Sequence, residues 1–230
     1  MSEKHLTETT FASFNLDENI HKSLDEAGYT HCTPIQQRCI PIAIEGRDVA
    51  GQAQTGTGKT AAFMVATLQY LHDHPPADKR KPNQPRVLIV APTRELAMQI
   101  HKDAELLGKY CGHQMRVVYG GSGYEQQRDS LREVDILIGT PGRLIDYYKQ
   151  HVYDLQCLQV VIIDEADRMF DLGFIKDIRY LLRRMPPPQN RLGMLFSATL
   201  SYRVSELAYE HMNDPQVVKI ETEHVTADNV

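Results

Sequence analysis

The sequence predicts an α/β protein, a three-layer domain whose mostly parallel central sheet lies between layers of helix. Short apolar runs rich in β-branched residues alternate with segments of helical periodicity along almost the whole chain. The longest apolar runs, such as Val87 to Val90 and Val160 to Ile163, are strand-sized and fall well short of the roughly 20 residues a membrane helix needs. With 230 residues, 42% of them hydrophobic, the chain can bury one sizeable core, so a single large domain is expected. Strand–helix alternation implies right-handed crossovers and ligands at the carboxyl ends of the strands.

In chain order, Leu16 to Ala27 is expected to be a helix, begun by Asp17 as N-cap and ended by Gly28. A strand is expected at Asp48 to Gln52, then a glycine-rich turn and an apolar helix from Ala61 to Leu71. Further strands are expected at Val87 to Val90, Arg116 to Val118, Ile136 to Ile138, Val160 to Ile163, Met194 to Phe196 and Gln216 to Lys219. Leu96, Ile100, Ala104 and Leu107 recur at helical spacing, as do Phe174, Ile178 and Leu181, which marks amphipathic helices. Pro75, Pro76, Pro82, Pro85 and Pro186 to Pro188 punctuate loops. The layout expected is a tail at residues 1–8, one domain at 9–220, and a polar, unpatterned stretch at 221–230 that reads as the start of a linker.

The N-terminus has neither a basic start leading into an apolar stretch nor an Arg-rich presequence, so a cytoplasmic location is the expectation. Cys32, Cys39, Cys111 and Cys157 show no zinc spacing and read as reduced, partly buried thiols. His72 and His74, beside two prolines, read as a solvated pair in a loop. The net charge of −5 argues against nucleic-acid binding through a broad basic patch; phosphates would have to be held by backbone amides, helix N-termini and a few arginines.

The segment Ala53-Gln54-Thr55-Gly56-Thr57-Gly58-Lys59-Thr60 follows an apolar strand and opens a helix, the context a phosphate-binding loop requires. Glycines permit the tight wrap, successive N–H groups surround a β-phosphate, Lys59 supplies a point charge and the Thr60 hydroxyl reaches Mg²⁺. The helix N-terminus adds partial positive charge. Ala53 stands where the generic pattern has glycine. A second signal comes from Val160 to Ile163, an apolar strand that delivers Asp164-Glu165-Ala166-Asp167 to its carboxyl end. Asp164 is the expected Mg²⁺ carboxylate and Glu165 the group that orients or deprotonates an attacking water. Alone, an acidic turn is more often a solvated loop; the phosphate loop reverses that balance. No Asn-Lys-x-Asp guanine reader and no ABC-type signature occurs.

Together with Gly28 to Gln36 (GYTHCTPIQ), Pro92 to Ala97 (PTRELA), Gly120-Gly121, Thr140 to Arg143 (TPGR) and Ser197-Ala198-Thr199, these two segments make seven motifs in one order. In this the chain resembles the first domain of the DEAD-box ATP-dependent RNA helicases, from Phe11 to about Ile220. The resemblance implies a RecA-like P-loop NTPase fold, with ATP and Mg²⁺ as ligands. It implies that Gln36, within an adenine motif at residues 9–37, reads the adenine edge with a donor and an acceptor, and that Tyr29 and Phe11 stack on or brace the base. It implies an RNA backbone held, without sequence reading, by Pro92, Thr93, Arg94, Gly120, Gly121, Thr140, Pro141, Gly142 and Arg143. Thr140 as cap and Pro141 as first helical residue would leave helix N–H groups free for a phosphate.

Ser197 and Thr199 would hydrogen-bond Asp167 and couple the two ligands, although read alone the serine–alanine–threonine triplet is more often a cap for a helix at Ser201 to His211. Flanks such as VDILIGT, GRLIDY and DLGFIKDIR are similar to the helicases of the bacterial RNA degradosome, which implies an endoribonuclease scaffold as partner. The family also has a second RecA-like domain that supplies arginine fingers and is not encoded here, so this chain alone is expected to be nearly inactive. Two alternatives stay open: a nucleotide-gated RNA-binding or scaffold module without turnover, and a duplex-DNA translocase.

Overall fold

The computed structural model describes residues 6–121 and 123–220, so the expected linker at 221–230 and residues 1–5 of the expected tail lie outside the described residues. Thr7 donates its N–H (2.8 Å) and its hydroxyl (2.9 Å) to the Cys32 carbonyl. The chain is therefore fastened to the domain before the expected boundary at residue 9.

In order the elements are α1 (Glu18–Glu26), α2 (Pro34–Ile44), β1 (Val49–Gln52), α3 (Lys59–Asp73), β2 (Val87–Val90), α4 (Arg94–Leu107), β3 (Met115–Val118), α5 (Tyr124–Ser130), β4 (Ile136–Gly139), α6 (Pro141–Lys149), β5 (Val160–Ile163), α7 (Ala166–Asp171), α8 (Ile175–Leu182), β6 (Leu192–Ser197), α9 (Tyr202–His211) and β7 (Gln216–Lys219). Each expected strand is present with small shifts at its ends. β1 begins at Val49; just before it, the two carboxylate oxygens of Asp48 accept the N–H groups of Gly193 (2.8 Å) and Asn213 (2.7 Å). The Asp17 carboxylate accepts from the Asn19 N–H at 3.0 Å, the N-cap its position suggested. α3 runs on to Asp73, so His72 belongs to a helix rather than to a loop; its ring lies 3.5 Å from the Asp17 carboxylate.

The strands form one sheet in the order β3-β4-β2-β5-β6-β1-β7, with every pairing parallel. Successive side chains on a strand point to opposite faces. Thus Val87, Ile89, Ile136, Ile138, Val160 and Ile162 join α1 to α4 in one core, while Leu88, Val90, Leu137, Val161 and Ile163 join α6 to α9 in the other. Burial on both faces is why these strands read as unbroken apolar runs. No helix among the described residues is long and apolar enough to cross a membrane.

A parallel sheet gathers the carboxyl ends of all its strands into a single rim. The strand order divides that rim into two groups of neighbours, β5, β6 and β1 on one side and β3, β4 and β2 on the other.

Candidate functional site

β1 ends in the loop from Ala53 to Gly58, and α3 starts at Lys59. Gly56 and Gly58 have φ of +85° and +90°, the left-handed region that costs a side-chain-bearing residue strain. At Gly58 a side chain has a second obstacle, since an added Cβ would sit 2.5 Å from the Gln36 amide nitrogen. Ala53 needs no such freedom: it is buried, its φ is not positive, and its N–H donates to the Ser197 carbonyl at 3.0 Å, prolonging the β1–β6 ladder. The glycine of the generic pattern is therefore dispensable at that position.

Opposite the loop, β5 hands over to Asp164 and Glu165. Lys59 Nζ lies 3.2 Å from Asp164 Oδ1, with both side chains almost fully buried (7% and 2% exposed). Asp164 Oδ1 also accepts the Glu165 N–H at 2.9 Å. Burial pushes the Asp164 carboxyl above its ordinary range, and Lys59 and the Glu165 N–H pull it back. Glu165 holds φ +52° and ψ +52°, a left-handed conformation costing a non-glycine residue roughly 1–2 kcal/mol. Its carboxylate accepts from Thr55 Oγ1 at 3.3 Å and faces Arg168 Nη1 at 3.4 Å. The phosphate loop and the acidic turn, far apart in sequence, thus touch.

Between them opens a cleft of about 260 Å³ lined by residues that include Tyr29, Thr55, Lys59, Thr60, Asp164 and Glu165. Its further wall comes from Leu96, Gln99 and Asp103, one face of α4. Sequence reasoning missed these three: an i,i+4 polar pair on a helix gives no sign that a cleft lies beside it. Tyr29 reaches the cleft as expected, but Phe11 does not. Phe11 is only 2% exposed, sits in the core and meets Tyr29 edge to face at 5.8 Å, so it braces the tyrosine and cannot stack on a ligand. Gln36 is anchored at both ends of its amide. Its oxygen accepts the Thr33 N–H (2.8 Å) and its amide nitrogen donates to the Gly58 carbonyl (3.0 Å), tying the start of α2 to the phosphate loop.

Ser197, buried at the end of β6, accepts the Asp167 N–H at 3.2 Å through its hydroxyl. Thr199 is exposed and makes no side-chain hydrogen bond among the described residues. The cap of α9 is Ser201, which accepts from the Val204 N–H, so the triplet is not itself a helix cap.

The other half of the rim carries the remaining motifs, after β2, β3 and β4. Thr93 caps α4 by accepting the Leu96 N–H at 3.3 Å, with Pro92 buried behind it and Arg94 exposed. Gly120, Gly121 and Gly142 are exposed. Thr140 has the extended backbone of an N-cap and Pro141 is the first helical residue, but the Thr140 hydroxyl makes no capping bond. Arg143 lies in the first turn of α6, with its guanidinium over the Tyr124 ring.

A phosphate loop faced across one intervening strand by a buried carboxylate, in an all-parallel three-layer sheet, defines a P-loop nucleotide-binding domain of RecA-like architecture. The chain belongs to the DEAD/DEAH box helicase family, whose model matches residues 33–207. It is 58% identical, over its whole length, to the ATP-dependent RNA helicases RhlB of Pseudoalteromonas atlantica, Shewanella pealeana and Serratia proteamaculans, and covers 54%, 53% and 54% of them. The chain thus spans about half the length of the curated relatives it matches. A crystal structure of a DEAD box protein from Methanococcus jannaschii superposes with a TM-score of 0.83 at 30% identity, over 92% of this chain and 56% of that one. A hypothetical ATP-dependent RNA helicase from Sulfolobus tokodaii gives 0.79 at 33% identity, over 89% and 57%.

Proposed function

We propose that this chain is the ATP-binding half of an ATP-dependent RNA helicase, which hydrolyses ATP when RNA is bound and separates RNA strands. The observation that carries the reading is the buried Lys59–Asp164 pair at the mouth of the phosphate loop. Taking two opposite charges out of water costs much of what their attraction returns, so such a pair points to a task other than stability. ATP supplies it: the Lys59 ammonium turns to the phosphates, and Asp164 is released. Thr60 and Asp164 both line the cleft with oxygen donors, the set a hard divalent cation prefers, and they would hold a Mg²⁺ that neutralises charge between the β- and γ-phosphates. Glu165, kept at the cleft by its backbone and by Thr55, orients a water for in-line attack on the γ-phosphorus and takes up its proton, while the bond from that phosphorus to the β,γ-bridging oxygen breaks and ADP leaves.

Tyr29 faces the adenine, with Phe11 as its brace. Gln36 still has one N–H and one oxygen lone pair beyond its two backbone bonds, the complement of the adenine edge. Arg94, Arg143, the exposed glycines and the start of α6 grip the RNA backbone, and Ser197, bonded to Asp167, relays between the halves, with Thr199 beside it. A second RecA-like domain of the full-length protein, with its arginine fingers, completes the site. The flanks shared with degradosome helicases favour a cytoplasmic role in RNA decay alongside an endoribonuclease scaffold.

The test is ATP hydrolysis by the full-length protein with and without RNA. RNA is expected to stimulate turnover, and Lys59→Ala is expected to abolish it. Stimulation by duplex DNA equal to that by RNA, or turnover that survives the loss of Lys59, would overturn the reading.

A further inference from the structure

Two arginines on the rim, Arg94 exposed and Arg143 half-buried, are held against aromatic rings. The Arg94 guanidinium lies 4.8 Å from the centre of the Tyr119 ring and against Gly121. The Arg143 guanidinium lies 4.7 Å from the Tyr124 ring and 5.3 Å from the Tyr147 ring, and donates to Tyr147 Oη at 3.2 Å. Neither arginine pairs with a carboxylate among the described residues, whereas Arg80, Arg128, Arg132 and Arg179 all do. One amide joins the two arrangements: Gln127 Oε1 accepts the Tyr119 N–H at 2.8 Å and Arg143 Nη1 at 3.3 Å. Tyr147 in turn donates its hydroxyl to the Tyr124 carbonyl at 2.6 Å, fixing the backbone from which the Tyr124 ring projects.

The difference between a carboxylate and an aromatic ring beneath an arginine is chemical. A carboxylate orients the guanidinium but cancels its charge and competes with any incoming phosphate. A ring orients it through the quadrupole and leaves the full charge and most of the N–H donors outward. A ring beneath a cation also occurs away from the rim, where Arg184 stacks on Tyr180. Arg94 and Arg143 differ in lying at the ends of adjacent strands, and one glutamine joins Arg143 to the backbone of Tyr119, whose ring lies beneath Arg94.

We propose that Tyr119 and Tyr124 are positioning residues for RNA backbone recognition: they hold Arg94 and Arg143 at fixed orientation, uncancelled, so that both meet phosphates of one strand without first being ordered. This rests on the reading of this half of the rim as the RNA face. Pre-orientation lowers the entropy lost on binding, so it acts on affinity rather than on the chemical step.

The experiment measures affinity of the full-length protein for a short oligouridylate, its salt dependence, and the KM for RNA and kcat of RNA-stimulated ATP hydrolysis. Tyr119→Leu and Tyr124→Leu are each expected to weaken RNA binding about three- to tenfold, in KM rather than in kcat, with the salt slope retained because the charge is still there. Tyr119→Phe and Tyr124→Phe keep the ring and are expected to restore affinity to within about twofold. The proposal is overturned if the leucine variants bind as the parent does, or if phenylalanine loses as much as leucine. Arg94→Ala and Arg143→Ala separate the RNA face from the positioning role: each is expected to weaken binding and lower the salt slope by about 1. If they leave RNA affinity intact, the RNA reading of this face fails; if they weaken it while the leucine variants do not, only the positioning role fails.

Discussion

The rim of this sheet has two halves built on opposite electrostatic plans. On β5, β6 and β1 the charged groups are paired with one another: Lys59 with Asp164, both almost fully buried, and Glu165 with Arg168 and the Thr55 hydroxyl, while the buried Ser197 accepts the Asp167 N–H. On β2, β4 and β3 Arg94 is exposed and Arg143 half-buried, and both rest on aromatic rings with no carboxylate partner among the described residues. A site that makes and breaks bonds needs desolvated, fixed charges, because low local polarity magnifies them. A site that holds a polyanion of any sequence needs accessible cations and oriented amides, and accepts screening by salt as a consequence. The net charge of −5 is compatible with the second plan because few cations are used and neither of those two arginines is spent on an internal partner of opposite charge.

If the halves are distinct in this way, variants in one should leave the other's ligand alone. After the loss expected at Lys59→Ala, the largest effect is expected at Glu165→Gln, which keeps the shape but removes the proposed proton acceptor: turnover should fall on the order of 10²-fold or more while RNA affinity stays. Equal loss of RNA binding would erase the division. Next, Gly58→Ala combines a strained backbone with a collision at Gln36 and should reduce ATP affinity roughly tenfold or more in a titration with a fluorescent analogue, with RNA binding in the absence of nucleotide retained. Arg94→Ala is the mirror case, with RNA weakened about tenfold and ATP affinity of the RNA-free protein untouched.

The smallest effect sharpens the comparison through pH. Burial holds both His113, just before β3, and His211, at the end of α9, below the ordinary histidine range. A depressed folded value means that the unfolded chain binds the proton first, so stability is full above about pH 6.5 and is lost as pH falls through the depressed values. Urea melts from pH 7.5 to 5 should show that loss, and His113→Asn and His211→Asn should each remove part of it, reporting on the underside of one half apiece.

Much of the fold was legible in the sequence, for identifiable reasons. The strands announced themselves because a parallel sheet covered on both faces needs continuous apolar runs, and the phosphate loop because its requirements are local. α2 was hidden by Pro34, harmless at a helix start, and Pro41 inside the helix. α5 was hidden because it buries none of its residues and so carries no apolar stripe. In the site, what the sequence left unseen shares one cause. That Phe11 is core, that Gln36 is bonded to the backbone of Thr33 and Gly58, and that α4 walls the cleft all depend on packing between segments distant in sequence. The tyrosines beneath Arg94 and Arg143 escaped notice for the same reason, since Tyr119 and Tyr124 flank a glycine turn without any spacing that marks them.

The left-handed backbone at Glu165 has a consequence for how this sequence can drift. Glycine or asparagine would occupy that conformation at less strain, so a population of variants screened for thermal stability alone, with no demand for turnover, should collect such replacements at this position. If Glu165 has the role proposed for it, selection for turnover keeps glutamate there against that strain, and the residue that accumulates at 165 in such an experiment would reveal which of the two pressures had been applied.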